Sequence, residues 1–510
     1  MGTRAADGDG ASSRRAARST VATLFAARAQ VHPERVAVVD GARALRYREL
    51  AERAGRLAGV LAARGIGRGD RVALLAENRL EALELFLAAA QRGAVVACQN
   101  TRLAAPELAH CLRLVEPSLV LVSPRHVEAL DAAAGGDRIV LGDDYERRID
   151  GAGAADPVDV DPEDPLLILY TSGTTGLPKG AVLSHRAQIV RNLVTRAELG
   201  VAPDDTFVAW SPLYHMGAVD NSLGALMAGG KVIVVPGFDA ARLADLVATE
   251  ALGWLLLMPG MVGRFAAELA RRGVTPRGVR VCGVMADLVP PAEIAEVTRR
   301  LGAPYANTFG ATETGCPPCS SSLIPIGVAP TRLSKVQSPF CEVRLVDADD
   351  RDVPDGSPGE LAMRGPTLFS GYWRADEVNA HDFRGGWFHM GDVFVRNPDG
   401  SLDFVDRVKY LIKTGGENVY PAEIERVLLQ DARVADAAVV RAPDPTWGEV
   451  PVAFVARRDD ALAEADLIAL CRAHLAGYKH PKRYCFIALD AFPRSASGKI
   501  QRHELEARLR

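Results

Sequence analysis

Hydrophobic positions in the first half of the chain follow two alternating patterns. From about Val21 to Leu255, stretches with apolar residues at helical spacing alternate with short, nearly continuous apolar runs. Residues 47–64 have helical spacing, whereas Arg71–Leu75 and Leu119–Val122 are typical of strands buried on both faces. This alternation predicts an α/β fold with largely parallel strands. On the same grounds a helix is predicted at 80–92, and strands at 95–97, 166–169, 232–235, 254–258 and 279–284.

The pattern changes after Glu342, where short strands follow one another without intervening helices. Asn397-Pro398-Asp399-Gly400 is typical of a turn that joins two strands. After Arg407 the pattern predicts a compact α+β unit, whose first helix begins at Pro421 because proline suits the first helical turn. The chain is therefore expected to combine a large α/β part, a β-rich subdomain and a small α+β unit.

Length and composition limit the class of protein. A chain of 510 residues is too long for one ordinary core, so two or more domains are expected. The net charge of −4 gives no reason to expect nucleic acid as a partner, and no apolar run approaches the roughly 18 residues of a membrane span. Eight cysteines are few for this length, which favours a reducing compartment, and we expect the cytoplasm. Residues 1–20 are rich in Ala, Arg, Gly and Ser and lack large apolar side chains, which predicts a disordered tail.

Lysine is rare in this chain. Only eight of the 60 basic residues are lysines. In a chain that otherwise uses arginine, a retained lysine is a candidate for a position that needs a compact ammonium.

One pair of cysteines has a spacing that could indicate metal or redox chemistry. Cys316-Pro317-Pro318-Cys319 is a CxxC segment, but no second pair accompanies it. A redox dithiol normally begins a helix, which two prolines oppose. We therefore predict a structural loop, with packing in a substrate-contacting loop as the alternative.

Residues 170–180, YTSGTTGLPKG, have the composition of a loop that binds phosphate. They follow the apolar run 166–169 and combine hydroxyl side chains, glycines and Lys179. Glycine lets the backbone approach an anion closely, and successive amides can form an anion-binding nest. The segment differs from the Walker pattern, because Gly180 follows the lysine where that pattern has Ser or Thr.

Four further segments carry chemistry in a fixed order. They are Asn307–Glu313 (NTFGATE), Gly386–Asp392 (GWFHMGD), Asp406–Glu425 and Pro493–Ile500 (PRSASGKI). Together with residues 170–180 they resemble the motifs of the acyl-adenylate-forming superfamily, which includes acyl-CoA synthetases, peptide-synthetase adenylation domains and firefly luciferase. The resemblance runs from about residue 21 to the end of the chain. It implies an N-terminal adenylation domain over 21–406, a hinge over 407–409 and a small, mobile α+β domain over 410–510.

The resemblance also implies roles for individual residues. Lys499, Thr312 and His215 are the implied catalytic residues, Lys409 is the hinge, and Glu313 with Thr171 would bind Mg²⁺. CoA would lie beside Gly415, Gly416 and Glu417. The implied ATP-binding residues are Thr171, Ser172, Gly173, Thr174, Thr175, Lys179, Asn307, Thr308, Phe309, Gly310, Thr312, Asp392, Arg407 and Lys499. The implied acyl pocket consists of His215, Gly217, Met285, Phe309, Gly310 and Cys316.

These roles agree with the charges that the reaction requires. A carboxylate that attacks ATP brings two anions together, so positive charge and Mg²⁺ are needed around the phosphates. Glu313 offers the oxygen ligand that Mg²⁺ prefers, and Asp392 is suited to accept hydrogen bonds from ribose hydroxyls.

The sequence departs from the superfamily pattern at several positions. Phe309 replaces a usual tyrosine, Met390 a frequent threonine, and Tyr410 a common acidic residue. Residues 282–288, CGVMADL, lie where a GGAPL-like adenine loop is expected and match it poorly. An amino-acid substrate is disfavoured, because Met216 occupies the position of the aspartate that would pair with a substrate ammonium, and Asp220 is out of register.

We therefore expect an ATP-dependent acyl-CoA synthetase. A hydrophobic carboxylic acid would react with ATP to give acyl-AMP and pyrophosphate, and CoA would then give the thioester and AMP; ring-containing acids are among the candidate substrates. The alternative is a stand-alone ligase that loads an acyl carrier protein; a luciferase-like oxygenase and a non-catalytic nucleotide-binding regulator are further alternatives. The expected partners are a small carboxylic acid, ATP and CoA, and the protein is expected to be a monomer or homodimer.

Overall fold

A computed structural model describes residues 18–133, 135–156, 158–172, 177–414, 417–494 and 500–509. The predicted tail therefore falls largely outside the described residues, but Thr20 already caps the first helix by accepting the amide hydrogen of Thr23. The helices are α1 Val21–Val31, α2 Tyr47–Ala63, α3 Leu80–Arg92, α4 Ala105–Val115, α5 Val127–Ala133, α6 Asp143–Asp150, α7 His185–Leu199, α8 Met216–Ala228, α9 Ala240–Thr249, α10 Val262–Arg272, α11 Pro291–Leu301, α12 Asp376–Asp382, α13 Pro421–Leu428, α14 Glu464–His474 and α15 Arg502–Ala507.

Two large sheets form most of the N-terminal domain. The eight-stranded sheet contains β1 Val36–Asp40, β2 Arg43–Arg46, β9 Thr206–Ala209, β10 Lys231–Val234, β11 Leu252–Leu255, β12 Val279–Cys282, β13 Tyr305–Ala306 and β16 Leu323–Ile324. The six-stranded sheet contains β3 Arg71–Leu75, β4 Val95–Cys98, β5 Leu119–Val122, β6 Arg138–Val140, β7 Pro165–Ser172 and β8 Pro178–Ser184. The inner strands of both sheets are parallel, which confirms the prediction from their continuous apolar runs.

Antiparallel strands follow where the hydrophobic pattern changes. A hairpin is formed by β14 Phe309–Ala311 and β15 Gly315–Cys319. The β-rich subdomain is a four-stranded sheet of β17 Glu342–Val346, β18 Pro358–Arg364, β19 Phe388–Arg396 and β20 Leu402–Arg407. The predicted turn at 397–400 joins β19 and β20.

The C-terminal domain has its own sheet and its own hydrophobic cores. Its strands are β21 Ile412–Thr414, β22 Glu417–Val419, β23 Val434–Asp444, β24 Gly448–Arg457 and β25 Arg483–Phe486. One core packs α13 and α14 against this sheet, and a second lies under α15. The fold is therefore the expected large α/β domain followed by a smaller α+β domain. Among the described residues, no helix is long and apolar enough to cross a membrane.

The prediction of a loop at Cys316–Cys319 is wrong, because these residues form most of β15. Pro318 lies opposite Gly310 of β14 in this two-stranded hairpin. A strand at a sheet edge tolerates proline, since it can leave the missing N–H on the unpaired side. Cys316 and Cys319 are free thiols, and burial raises the pKa of each to about 12.

A buried histidine begins the helix that follows the six-stranded sheet. His185 is fully buried, and its Nδ1 accepts the amide hydrogen of Val21 at 3.3 Å. Its Nε2 has no hydrogen-bond partner among the described residues. Burial therefore lowers the pKa of His185 from its ordinary value to about 4.

We predict that His185→Gln makes the protein less sensitive to acid. In the unfolded chain His185 binds a proton below about pH 6.5, but in the folded protein it does so only below about pH 4. The free energy of unfolding therefore falls as the pH drops through this interval. Glutamine keeps an acceptor for Val21 without titrating. The free-energy loss between pH 7 and pH 5 should be smaller in the variant by about 2 kcal/mol.

Urea unfolding at the two pH values measures this difference. His381→Gln, which alters a histidine whose side chain is 75% exposed, is the matched control and should follow the wild type. An unchanged pH profile in His185→Gln would contradict the prediction.

Candidate active site

Residues 170–172 and 178–180 of the predicted phosphate segment lie in the antiparallel hairpin of β7 and β8. In the pairing of β7 with β8, Thr171 lies opposite Lys179 and Ser172 opposite Pro178. Gly173, Thr174 and Thr175 lie outside the described residues, so their predicted phosphate contacts remain predictions.

A third chain segment pairs with this hairpin and explains one glycine. Trp373 donates its amide hydrogen to the carbonyl of Gly180 at 2.8 Å, and Val182 donates to Gly371 at 3.0 Å. A Cβ atom at Gly180 would lie 2.8 Å from Cγ2 of Ile168. A Ser or Thr after the lysine would therefore force the buried Ile168 side chain to shift.

Tyr372, in this paired segment, connects two predicted site residues. The ammonium of Lys179 lies 5.0 Å from the centre of the Tyr372 ring, and the Tyr372 hydroxyl donates to Oε1 of Glu313 at 2.8 Å. Burial, with the nearby charge of Glu313, raises the pKa of Tyr372 well above its usual range. The hydroxyl therefore stays protonated and holds the buried Glu313 carboxylate in place.

The turn that carries Thr312 and Glu313 is held by a buried arginine on α7. The Arg191 guanidinium donates to the carbonyl of Thr312 at 3.0 Å and to that of Thr367 at 2.9 Å, and pairs with Asp220 at 3.2 Å. Only 2% of the Arg191 side chain is exposed. Asp220 thus neutralises a structural cation, which accounts for an aspartate close to the position where an amino-acid substrate would need one.

Asp392 and Arg407 lie opposite each other in β19 and β20. Nε of Arg407 donates to Oδ1 of Asp392 at 2.9 Å, and Asp392 is 1% exposed. The charge of Asp392 raises the pKa of Arg407. The sheet therefore places a carboxylate and a guanidinium side by side. Their contacts with ribose and phosphate remain predictions.

Phe309 packs on the β-rich subdomain. Its ring centre lies 4.8 Å from those of both Phe394 and Phe404, and 5% of the residue is exposed. Next to it, Gly310 would place a Cβ atom 1.9 Å from the carbonyl oxygen of Gly315, so only glycine fits the hairpin here. The predicted contact of Phe309 with adenine remains a prediction.

Asn307 and Thr308, also predicted to bind ATP, lie buried before the hairpin. The Asn307 side chain accepts from Lys335 at 2.6 Å and donates to the carbonyl of Leu333 at 3.0 Å. The Asn307 amide therefore links the segment before the hairpin to residues 333–335. A contact of Asn307 with ATP remains a prediction.

The predicted acyl-pocket residues lie at the ends of neighbouring elements. His215 is the N-cap of α8, with its ring centre 4.8 Å from that of Tyr214, and Gly217 lies in the first turn of α8. Cys316 contacts Thr195 at 3.9 Å, and Met285 precedes the short turn 286–288 with φ of 42°. The acyl pocket that these residues are expected to form remains a prediction.

The predicted hinge is surrounded by side chains of the C-terminal domain. Arg441 donates to the carbonyl of Lys409 at 2.8 Å, and the cations of Lys409 and Arg502 lie 5.0 and 4.5 Å from the centre of the Tyr410 ring. Asp406 accepts the amide hydrogen of Ala422 at 2.7 Å. Tyr410 occupies a position at which the superfamily commonly has an acidic residue, and here its ring contacts two cations.

The residues predicted to lie beside CoA, and the lysine predicted to catalyse adenylation, are described only in part. Glu417 begins β22 and pairs with Thr414 of β21. Gly415, Gly416 and Lys499 lie outside the described residues, and their roles remain predictions.

Sequence reasoning missed three residues that hold this site together. Tyr372 and Arg191 carry no motif signal, because their partners lie 59 and 121 positions away in the chain. Lys335 had a weak signal, since it is one of eight lysines.

Comparison with known proteins identifies the class. Residues 25–373 match the family described as AMP-binding enzyme, and residues 423–499 match the AMP-binding enzyme C-terminal domain. The chain is 37% identical over 493 residues to a feruloyl-CoA synthase from an Amycolatopsis species, covering 94% of this chain and 97% of that one. It is 35% identical over 498 residues to an indoleacetate–CoA ligase from Aromatoleum aromaticum, covering 94% and 96%.

A solved structure agrees with these sequence matches. The crystal structure of ATP-bound MatB from Rhodopseudomonas palustris superposes with a TM-score of 0.83 at 31% identity, covering 96% of this chain and 98% of that one. The chain therefore belongs to the AMP-binding enzyme family, which confirms the resemblance to the acyl-adenylate-forming superfamily. Within it, the protein is an AMP-forming acid–CoA ligase of the acyl-CoA synthetase branch.

Glu313 is a predicted Mg²⁺ ligand, so we predict that Tyr372→Phe raises the Mg²⁺ concentration that adenylation needs. The variant keeps the ring beside Lys179 but removes the hydrogen bond to Glu313. Because a hydrogen bond to a charged group contributes about 1.5–3 kcal/mol, the Mg²⁺ concentration for half-maximal ATP–pyrophosphate exchange should rise about tenfold.

The matched control is Tyr47→Phe, which removes a buried hydroxyl that donates to Gly230 at 2.7 Å, away from this site. That variant should keep the wild-type Mg²⁺ dependence. If folded Tyr372→Phe also kept it, Tyr372 would not orient Glu313 for the metal.

Proposed function

We propose that the ligase activates a hydrophobic, ring-containing carboxylic acid and transfers the acyl group to free CoA. The observation that carries the adenylation half is the convergence of Lys179 and Glu313 on Tyr372, beside the predicted phosphate segment. A cation and a carboxylate lie close together there, which supports a role in transfer at a polyphosphate.

The proposed first half-reaction uses residues from both domains. The substrate carboxylate attacks the α-phosphorus of ATP, and pyrophosphate leaves. Lys179 and the hydroxyl of Thr171 hold the outer phosphates, while Asp392 and Arg407 bind the ribose side. Lys499 neutralises charge between the carboxylate and the α-phosphate, and His215 lies at the acyl side.

The donors present fit Mg²⁺. Glu313 is a buried carboxylate whose Oε1 is fixed by Tyr372, and oxygen is the ligand that this hard cation prefers. With Thr171 it would hold the ion, which supplies positive charge to the phosphates.

The proposed second half-reaction follows a rotation of the C-terminal domain about Lys409. The thiol of CoA attacks the acyl carbonyl carbon and AMP leaves. Residues 415–417 would then face the thiol path, and Lys499 would be withdrawn. The separate cores of the C-terminal domain support its movement as a unit.

The proposed substrate class rests on two lines of support. The named relatives act, by their names, on feruloyl and indoleacetate groups, which both contain aromatic rings. Asp220 is already neutralised by Arg191, so it does not need a substrate ammonium as a partner. This disfavours an amino-acid substrate. The cytoplasmic location and the state as monomer or homodimer stay predictions.

We predict that acids with an aromatic ring are the better substrates. In ATP–pyrophosphate exchange, a phenylpropenoic acid and indoleacetic acid should exceed a straight-chain acid of equal carbon number by about tenfold in kcat/KM, since the missing ring contacts cost free energy in the transition state. Thioester should form with free CoA. A preference for aliphatic or dicarboxylic acids would contradict the substrate class, and product only on a carrier protein would contradict the acceptor.

We predict that Lys499→Ala abolishes adenylation and retains thioester formation from supplied acyl-AMP. The lysine is needed only while two anions approach each other. Lys482→Ala, an exposed lysine of the same domain, is the control and should leave both half-reactions unchanged. Equal loss of both half-reactions in Lys499→Ala would contradict the proposed rotation.

A further inference from the structure

Lys335 is a fully buried lysine that the proposed mechanism does not use. Its ammonium donates to Oδ2 of Asp287 and to Oδ1 of Asn307, each at 2.6 Å, and its side chain is 0% exposed. A buried ammonium is tolerated only when it is paired and hydrogen-bonded.

The two acceptors belong to segments that enter the proposed nucleotide site. Asp287 lies in the turn 286–288, directly after Met285, whose backbone has the left-handed φ of 42° that non-glycine residues rarely adopt. Asn307 comes directly before Thr308 and Phe309. Its Oδ1 also accepts the amide hydrogen of Ala286 at 3.3 Å, so one amide oxygen joins both segments.

The backbone of Lys335 is tied to a third segment. Lys335 and Leu402 exchange two backbone hydrogen bonds of 2.8 Å, and Leu402 begins β20. The same strand ends at Arg407, which pairs with Asp392. One residue thus connects the turn 286–288, the segment of Asn307 and the strand of Arg407.

We propose that Lys335 is a positioning residue for ATP, an inference that rests on the proposed function. Its ion pair with Asp287 holds the strained turn at 285–288 against Asn307. Its backbone fixes that turn relative to β20. The sequence of the turn differs from the expected GGAPL-like loop. In this chain the buried ion pair of Lys335 with Asp287 holds the turn in position by charge and hydrogen bonding.

A role in stability alone makes a different prediction from a role in positioning. If Lys335 only stabilises the fold, its loss lowers the unfolding temperature and leaves nucleotide affinity unchanged in the folded fraction. If it positions the site, affinity for ATP falls even where stability is restored. Replacing both charged partners by apolar residues restores stability in many proteins, because no unpaired buried charge remains.

The experiment compares Lys335→Met with the double variant Lys335→Met/Asp287→Leu in the full chain. Calorimetric titration with ATP and Mg²⁺ gives the dissociation constant, and pyrophosphate exchange gives KM for ATP and for the acid. Both variants should bind ATP about tenfold more weakly and raise KM for ATP, with KM for the acid unchanged. The double variant should recover much of the unfolding temperature. If Lys335→Met does not fold, the double variant carries the same comparison.

Arg53→Met is the matched control. It breaks the buried ion pair of Arg53 with Glu84, between α2 and α3, and should lower the unfolding temperature without changing ATP affinity. Wild-type ATP affinity in the folded double variant would overturn the positioning role while leaving the proposed function intact. Wild-type protein that bound no ATP would contradict the proposed function itself, and this role with it.

Discussion

One buried guanidinium joins several segments of the N-terminal domain. Arg191 leaves α7, beside the six-stranded sheet, and reaches Asp220 on α8, the carbonyl of Thr312 in the hairpin turn and that of Thr367 before the strand-paired segment. A buried arginine must be neutralised and its donors satisfied, and here each partner comes from a different part of the domain. Because one guanidinium links segments that adjoin the two large sheets, the hairpin and the β-rich subdomain, it holds these parts in position relative to one another. The proposed nucleotide site lies where these parts meet.

The proposed site is built from residues that lie near turns and strand ends and close to one another. Lys179 comes from β8, Glu313 from the hairpin turn, and Asp392 and Arg407 from the β-rich sheet. Tyr372 joins the first two through one ring and one hydroxyl. Charges held in this way need little reorganisation when a polyphosphate binds, which is the general basis of electrostatic catalysis. The proposed rotation involves the C-terminal domain, which has its own hydrophobic cores.

The sequence predicted the regular elements well, and for a physical reason. Buried parallel strands such as Leu119–Val122 need continuous apolar runs, and α2 needs helical spacing, so the pattern and the structure agree. Cys316–Cys319 was predicted wrongly as a loop, because two prolines normally oppose a strand and the two-stranded hairpin that tolerates them is a tertiary feature. The charged motif residues could be found from their spacing, but Tyr372, Arg191 and Lys335 could not.

The sequence by itself determined the family, the order of the motifs and the chemical types that adenylation requires, because these depend on residue identity along the chain. Only the tertiary structure decided which residues hold the motifs in place. Asp220 neutralises Arg191, Gly180 makes room for Ile168, and Lys335 joins Asp287 to Asn307. These contacts span 29 positions in one case and 48 in another, and no local pattern encodes a partner at such a distance. Packing alone brings them together.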